Sequence, residues 1–265
     1  MNLHGCTALI TGASAGIGQE FARQLAGRAG ALVLVARRRD RLEQLRDELT
    51  ARNNNLKVLI HPADLSDIAQ VTQLCAWLEQ EHIAIDLLIN NAGLGDRGAF
   101  ATSDSERVED MLSVNVVALT TLTRRLLPAM IARRCGTVLN VSSCASFLPM
   151  PGFAVYAATK AYVTSFSEAL RMELRGSGVN VTALCPGPVH TEFDSIARRA
   201  THPERRAAPE FTYVAVEDVV REGLAAVARE QPVAIPGWAM KVAMFFTRLT
   251  PMPLLRLAGR SARAQ

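Results

Sequence analysis

Residues 6–18 read C-T-A-L-I-T-G-A-S-A-G-I-G, an apolar run that leads into a glycine-rich turn, and a helical pattern follows from about Gln19 to Arg28. The run Cys6–Ile10 predicts a buried strand. Glycines let the backbone turn tightly and approach a pyrophosphate, whose charge the free N–H groups of the next helix stabilise. This order predicts a phosphate-binding turn, with an ordinary strand-to-helix turn as the alternative. Its candidate binding residues are Gly12, Ser14, Gly16, Ile17 and Gly18.

Short apolar, β-branched runs alternate with longer amphipathic stretches along most of the chain. This alternation is typical of βαβ units, and nearly continuous apolar strands imply burial on both faces. We therefore predict an α/β fold in one domain: a doubly wound parallel sheet of about seven strands, with helices on both faces and right-handed connections. The further strand candidates are Leu32–Ala36, Lys57–Ile60, Asp86–Ile89, Thr137–Val141, Asn180–Leu184 and Pro232–Ile235.

Composition excludes several classes of protein. Of 265 residues, 49% are hydrophobic and 20% are charged, which excludes wholesale disorder and a collagen-like or coiled-coil chain. The net charge of +4 is small and scattered, so no nucleic-acid partner is expected. The five cysteines lie far apart and are interpreted as reduced thiols, without zinc or disulfide spacing. Without a secretion-like start or an apolar run of about 18 residues, a cytoplasmic location is expected.

Two regions outside the predicted sheet lack its pattern. Residues 188–213 carry several His and Arg side chains without an apolar period, and we interpret them as a mobile lobe that contacts substrate. Residues 238–265 form an apolar tail, interrupted by Pro251 and Pro253, whose helical pieces are apolar on one side. Such a tail could pack on the body, a partner subunit, an apolar substrate or a bilayer surface.

The end of the second strand, Ala36-Arg37-Arg38-Arg39, indicates which dinucleotide the chain prefers. Folds that select NAD place an acid there for the ribose 2′-hydroxyl, whereas NADP requires a cation for its 2′-phosphate. Arg37 stands where the acid would be, and a guanidinium group matches phosphate geometry. We therefore predict NADPH, bound by Arg37 and Arg38. The alternative is that these arginines are only the solvated start of the next helix.

Tyr156 and Lys160 lie four residues apart, which places both side chains on one face of a helix. A charge about 4 Å from a phenol, at an effective dielectric of about 20, is worth roughly 4 kcal/mol, or on the order of three pKa units. We therefore expect Lys160 to lower the pKa of Tyr156. Ser143 follows the strand Thr137–Val141, at the carboxyl edge where open α/β sheets bind ligands.

Together these motifs resemble the short-chain dehydrogenase/reductase family, a Rossmann-fold family, over about residues 3–235. The resemblance rests on the spacing G-x-x-x-G-x-G after Thr11, and on Asp64, Asn90-Asn91-Ala92-Gly93, Asn115, Ser143, Tyr156, Lys160 and Pro186-Gly187. It implies that Tyr156 is the general acid/base, that Lys160 lowers its pKa and holds the nicotinamide ribose, and that Ser143 steadies the substrate oxygen. Asn115 would anchor a water-linked proton relay.

The resemblance also implies further cofactor contacts. Asp64 would meet the adenine, Asn90 and Ala92 would line the adenosine ribose through backbone groups, and Val189 and Thr191 would hold the carboxamide. The further cofactor-binding candidates are Leu65, Gly93, Pro186 and Gly187. For the polar residues among them, a helix cap or turn is the alternative. Many relatives that use NADP have a second basic residue in the glycine turn, where this chain has Ala15. Relatives also suggest a homodimer or homotetramer through the helices that bear Asn115 and Tyr156.

The expected activity is metal-free hydride transfer between NADPH and a carbonyl or secondary alcohol. The tail resembles the family branch with 3-oxoacyl and hydroxysteroid reductases, which favours an apolar substrate. Between Ser143 and Tyr156, an apolar pocket wall could be formed by Phe147, Leu148, Met150 and Phe153. A non-catalytic NADPH-binding regulatory protein and a membrane-surface protein are the alternatives, the first disfavoured by the joint presence of Ser143, Tyr156 and Lys160.

Overall fold

A computed structural model of the chain describes residues 2–197, 212–251 and 253. Part of the predicted lobe, residues 198–211, and most of the end of the tail lie outside the described residues. The described chain forms a parallel seven-stranded sheet in the order β3-β2-β1-β4-β5-β6-β7. The strands are β1 Thr7–Thr11, β2 Ala31–Ala36, β3 Lys57–Pro62, β4 Leu87–Asn90, β5 Gly136–Val141, β6 Val179–Leu184 and β7 Val233–Ala234. The predicted fold class is therefore confirmed.

Helices cover both faces of this sheet. They are α1 Gly16–Leu25, α2 Arg39–Arg52, α3 Ile68–Gln80, α4 Ser105–Leu112, α5 Leu119–Ala132, α6 Ala154–Glu173, α7 Glu192–Ala197, α8 Val216–Ala228 and α9 Trp238–Leu249. A π-helix, Ser113–Ala118, joins α4 to α5, and a short 3₁₀ helix, Cys144–Phe147, follows β5. Helix α1 begins three residues before the predicted Gln19, because Gly16 and Gly18 belong to its first turn.

Successive strand residues enter two different cores. In β2, Leu32 and Leu34 pack on one face of the sheet, while Val33 and Val35 pack on the other. The first core is closed by α1, α2 and α8, and the second by α3, α5 and α6. Burial on both faces explains why these strands are nearly continuously apolar in sequence.

The stretch Ser105–Ala132 is the described helical segment that is long and apolar enough to cross a membrane, judged by length and composition alone. Its Ala118, Leu122 and Met130 are buried in the second core, against the sheet. The stretch is therefore one layer of this fold.

The strand order changes direction between β1 and β4, from which the chain builds outward on either side. In open α/β sheets, ligands bind in the crevice outside the carboxyl ends of the strands at such a switch point. The sheet thus places the glycine turn after β1 beside the polar residues that follow β4.

Candidate active site

A cleft of about 640 Å³ opens along the carboxyl edge of the sheet. This volume lies within the range of small-molecule sites. Most of the predicted site residues line it: Gly12, Ser14, Gly16, Ile17, Arg37, Arg38, Asp64, Leu65, Ala92, Gly93, Ser143, Tyr156, Lys160, Pro186, Gly187, Val189 and Thr191. Gly18, Asn90 and Asn115 lie outside its lining.

The glycine turn is held against the loop after β4. A Cβ on Gly12 would lie 2.8 Å from Asn91 Nδ2, and one on Gly18 would lie 2.3 Å from Gly12 O, so neither position has room for a side chain. Gly12 has φ +66°, and Gly16 has φ +55°. The residue before α1, Ala15, provides no side-chain cap, so the first N–H groups of α1 lack that partner. The turn therefore fits a phosphate group.

Asn91, rather than Asn90, supports the turn from the β4 side. Its Nδ2 donates to Thr11 O at 2.9 Å, and it lines the cleft. The side chain of Asn90 instead points into the protein, where its Nδ2 donates to Thr123 Oγ1 at 3.0 Å and Asn140 Oδ1 at 2.9 Å. The side chain of Asn90 therefore has a structural role, because it points to the opposite side of the chain from that of Asn91.

Three arginines gather at the end of the cleft beyond the glycine turn. Arg38 Nη2 donates to Ser14 Oγ at 3.2 Å, and Arg37 Nη1 lies 3.7 Å from Asp64 Oδ2. Glu192, at the start of α7, bridges Arg38 at 3.1 Å and Arg41 at 2.9 Å. Hydrogen bonds from Arg41 and then from Arg38 lower the pKa of this carboxyl. Sequence analysis missed this bridge, because its partners are about 150 residues apart in the chain.

Ser143, Tyr156 and Lys160 meet at the opposite end of the cleft. Tyr156 and Lys160 are buried, with 8% and 4% of their surfaces exposed. Lys160 Nζ donates to Val141 O at 2.8 Å and lies 5.7 Å from the centre of the Tyr156 ring. Phe153 stacks on that ring, with the ring centres 4.3 Å apart. The predicted neighbours therefore share one buried end of the cleft.

Burial sets the ionisation of this end. It raises the pKa of Tyr156 to about 12, against an opposing hydrogen bond from Ser143, and it lowers the pKa of Lys160 to about 8. The expected lowering of the Tyr156 pKa by Lys160 is absent in the chain alone. Removing the pair from water penalises both charged forms, which outweighs their mutual attraction. Tyr156 is consequently held as a neutral phenol that can donate a proton.

Asn115 lies in the π-helix and clamps two elements together. Its Oδ1 accepts from Leu94 N at 2.8 Å, while its Nδ2 donates to Leu94 O at 2.9 Å and Thr159 Oγ1 at 3.0 Å. Thr159 in turn donates to Tyr156 O at 2.7 Å. Asn115 is 1% exposed and lies outside the cleft lining, and its part in a water-linked relay stays a prediction. A π-helix places this amide one residue out of α-helical register, and such bulges are frequent at functional sites.

The wall beside Tyr156 is apolar, as predicted for three of its four residues. Leu148, Met150 and Phe153 line the cleft, and the described part of the chain adds Phe193 and Ile196 from α7 with Met240 and Met244 from α9. Phe147 lies outside the lining and packs against α9 instead. Cys144 is buried beside Ser143, and burial raises its pKa to about 12, which leaves an inert thiol.

The fold, the glycine turn and the Ser143-Tyr156-Lys160 group in one cleft are typical of a nucleotide-binding oxidoreductase of the α/β class. A family model described as short chain dehydrogenase matches residues 6–201. The chain belongs to the short-chain dehydrogenase/reductase family, and it is an enzyme.

Two curated relatives match in sequence over 97% and 76% of the chain. An uncharacterised oxidoreductase of Myxococcus xanthus is 34% identical over 263 residues, which cover 97% of each chain. The ketoacyl reductase HetN of a Nostoc species is 34% identical over 202 residues, 76% of this chain and 70% of that protein.

Three solved structures superpose on at least 92% of the chain. A short-chain dehydrogenase from Sphingobium yanoikuyae in complex with NADPH shares 33% identity at a TM-score of 0.79, covering 92% of this chain and 94% of that one. A bulky-bulky ketone specific alcohol dehydrogenase from Comamonas testosteroni shares 28% identity at a TM-score of 0.75, covering 100% and 94%. A Burkholderia phymatum enzyme in complex with NAD shares 26% identity at a TM-score of 0.80, covering 92% and 93%.

Proposed function

We propose that this enzyme transfers hydride between NADPH and the carbonyl carbon of an apolar ketone or the corresponding secondary alcohol. The observation that carries the proposal is the meeting of Ser143 with the buried Tyr156 and Lys160 at one end of a cleft whose other end holds a glycine turn and arginines. Because hydride transfer needs a nucleotide and a proton donor in one cavity, this pairing supports reduction better than nucleotide sensing.

Ser143 and Tyr156 would hydrogen-bond the substrate oxygen, which gains negative charge during reduction. A reduced nicotinamide supplies the hydride to the carbonyl carbon when it is bound. Tyr156 would then give its proton to the oxygen, and the product is an alcohol. The raised pKa of Tyr156 favours the protonated form that reduction requires. Lys160 would hold the nicotinamide ribose by its amine, and Asn115 would position α6 through Thr159.

The proposed cofactor contacts follow the cleft from one end to the other. The glycine turn, with Gly12, Ser14, Gly16, Ile17 and Gly18, would receive the pyrophosphate. Asp64 and Leu65 would lie by the adenine, with Ala92, Gly93 and the backbone of Asn90 near its ribose. Pro186, Gly187, Val189 and Thr191 would meet the carboxamide.

We propose NADPH over NADH because cations surround the position of a 2′-phosphate. Arg37 and Arg38 line the cleft at the end of β2, where an acid would repel that phosphate. The Sphingobium relative holds NADPH, whereas the Burkholderia relative holds NAD. Comparing kcat/KM with the two reduced cofactors tests the choice, and a preference for NADH would contradict it.

An apolar substrate is supported by the side chains of Leu148, Met150, Phe153 and Phe193 in the cleft around Tyr156. The one ion pair in this part of the described lining, Arg97 with Asp194, is closed on itself at 3.3 Å. The Nostoc relative is a ketoacyl reductase, and the Comamonas enzyme is specific for bulky-bulky ketones. NADPH oxidation should be measured against 3-oxoacyl esters, cyclic ketones and aldehydes graded by length. We expect kcat/KM to rise with apolar size. Highest activity on the smallest, most polar carbonyl compounds would contradict this substrate class.

We also propose a homodimer or homotetramer in the cytoplasm, assembled through the helices that bear Asn115 and Tyr156. These helices expose Leu112 and Val117 on one segment and Tyr162 on α6, at 43%, 45% and 39%. Light scattering during gel filtration should give a multiple of the 28.7 kDa chain mass. Val117→Glu should yield a smaller species, with Val117→Ala as the matched control.

A further inference from the structure

Helix α9 turns its large apolar side chains away from the body of the protein. They recur at i, i+4, i+7, i+8 and i+11, which places them on one helix face. The outer face of α9, as we call it, consists of Trp238, Val242, Phe245, Phe246 and Leu249, which are 80%, 49%, 61%, 62% and 65% exposed. A surface helix normally directs polar residues outward. Helix α9 instead exposes apolar residues, so its outer face needs a partner.

The inner face of α9 is fixed to the cleft wall. Met240 and Met244 are buried and pack with Cys144. A Cβ on Gly187 would lie 2.8 Å from Met240 Cγ, so this contact leaves no space for another side chain. Both methionines also line the cleft. Rotating the helix to bury its outer face would therefore remove one wall of the cleft.

The charge of this region is segregated from the rest of the chain. Residues 238–265 contain five of the 29 basic residues and none of the 25 acidic ones. The segment thus carries +5, while residues 1–237 carry −1, since the whole chain carries +4. On α9 the two cations, Lys241 and Arg248, are seven residues apart and so lie on the same flank of the helix, between its outer and inner faces.

We propose that the outer face of α9 docks the enzyme on an anionic lipid bilayer. Aromatic and aliphatic side chains flanked by cations, within a segment that contains no acid, are the pattern of a helix that lies in the membrane interface. Of the two cations on α9, Lys241 also pairs with Glu222 of α8 at 2.8 Å. Anionic headgroups would attract the +5 segment, whereas a second copy of that segment would repel it. A strip about 18 Å long and about 10 Å wide is also small beside the roughly 800 Å² that each partner buries in a standard protein interface.

Docking would bring the cleft within about one helix diameter, ~10 Å, of the lipid headgroups. An apolar ketone dissolved in the bilayer would then reach Met240 and Met244 by a short path. This consequence rests on the proposed function. The docking itself does not, because it is measured by binding alone.

The full-length protein should be sedimented with vesicles of phosphatidylcholine containing one-third phosphatidylglycerol, and with vesicles of phosphatidylcholine alone. We expect at least about tenfold stronger binding to the anionic vesicles, weakened by salt. Phe245→Ser combined with Phe246→Ser should lose about tenfold or more of this binding. The matched control combines Phe100→Ser and Met172→Ser, whose side chains are 64% and 63% exposed and lie outside the cleft lining. The control should bind like the parent protein.

Failure of the parent protein to bind anionic vesicles would overturn the proposal. So would unchanged binding of the Phe245/Phe246 variant, or an equal loss in the control. Gel filtration tests whether a second copy of the chain covers the outer face instead. If the Phe245/Phe246 variant is a smaller species than the parent protein, and the control is not, the outer face is a contact between copies. Vesicle binding without any ketone reductase activity would instead support docking and contradict the proposed function.

Discussion

The two ends of the cleft hold their charges in opposite ways. At the reactive end, Tyr156 and Lys160 are nearly buried, and burial shifts the pKa of both groups. At the arginine end, the side chains of Arg37 and Arg38 are 59% and 41% exposed and pair with Asp64 and Glu192. Interactions in water are screened, whereas polar groups in a dry site are costly to lose. Single changes should therefore be severe at the reactive end and graded at the arginine end.

The largest effect is expected for Tyr156→Phe. The substitution removes the proposed proton donor and one hydrogen bond to the substrate oxygen, while keeping the ring that stacks on Phe153. We expect kcat/KM to fall by about 10²- to 10⁴-fold. NADPH binding, followed by the change in its fluorescence, should stay within about twofold, since Tyr156 is one contact among many. Full retention of activity would remove Tyr156 from its proposed role.

Asn115→Ala tests whether the clamp behind the reactive end is structural. It leaves Leu94 N and Leu94 O without their buried partner, and each such loss costs about 1–3 kcal/mol. Urea unfolding should therefore show a loss of roughly 3 kcal/mol. Thr120→Ala, which removes an exposed hydroxyl bonded to Tyr162 at 2.9 Å, should cost under about 1 kcal/mol. Equal losses in the two variants would contradict the clamp.

The glycine turn and the sheet could be predicted because their signals are local. All strand ends lie within two residues of the prediction; the largest difference is at β3, which continues two residues further to Pro62, and β7 is one residue shorter at each end. Helix α1 was placed too late because glycine usually interrupts a helix, whereas here Gly18 allows close approach to Gly12 O.

The supporting contacts of the site could not be predicted, because they depend on distance in space. The side chain of Asn90 is structural and that of Asn91 faces the cleft, which follows from strand alternation once the end of β4 is known. The bridge from Glu192 to Arg41 joins residues about 150 apart. Spacing places Tyr156 near Lys160 but cannot reveal that burial raises the pKa of Tyr156.

Arg38→Ala addresses the exposed end of the cleft. A hydrogen bond to a charged group contributes about 1.5–3 kcal/mol, reduced here by exposure, so we expect kcat/KM with NADPH to fall roughly 10- to 30-fold. The value with NADH should change less than about threefold. Arg39→Ala is the matched control, because Arg39 pairs with Glu43 along α2 and lies outside the cleft lining. Equal losses with both cofactors would assign Arg38 a structural role through Glu192.

The smallest effect is a pH dependence of stability that only the buried end should show. The pKa of Lys160 is lowered from 10.5 to about 8, so between these values the unfolded chain holds a proton that the folded chain lacks. The contribution of Lys160 to stability therefore rises with pH in this window, and the folded state bears its full cost below about pH 8. An arginine side chain stays charged through this range, so the other end of the cleft contributes nothing to the trend.

Comparing the parent protein with Lys160→Met isolates this contribution. The difference in free energy of unfolding, parent minus variant, should rise by about 1 kcal/mol from about pH 8 to about pH 9. Burial raises the pKa of Cys6 to about 11 and of Cys144 to about 12, which lowers the stability of both proteins alike as their unfolded thiols ionise. Those changes cancel in the difference. A difference that stays constant with pH would mean that Lys160 keeps its full charge in the folded protein. The cations at both ends of the cleft would then stay charged across this pH range.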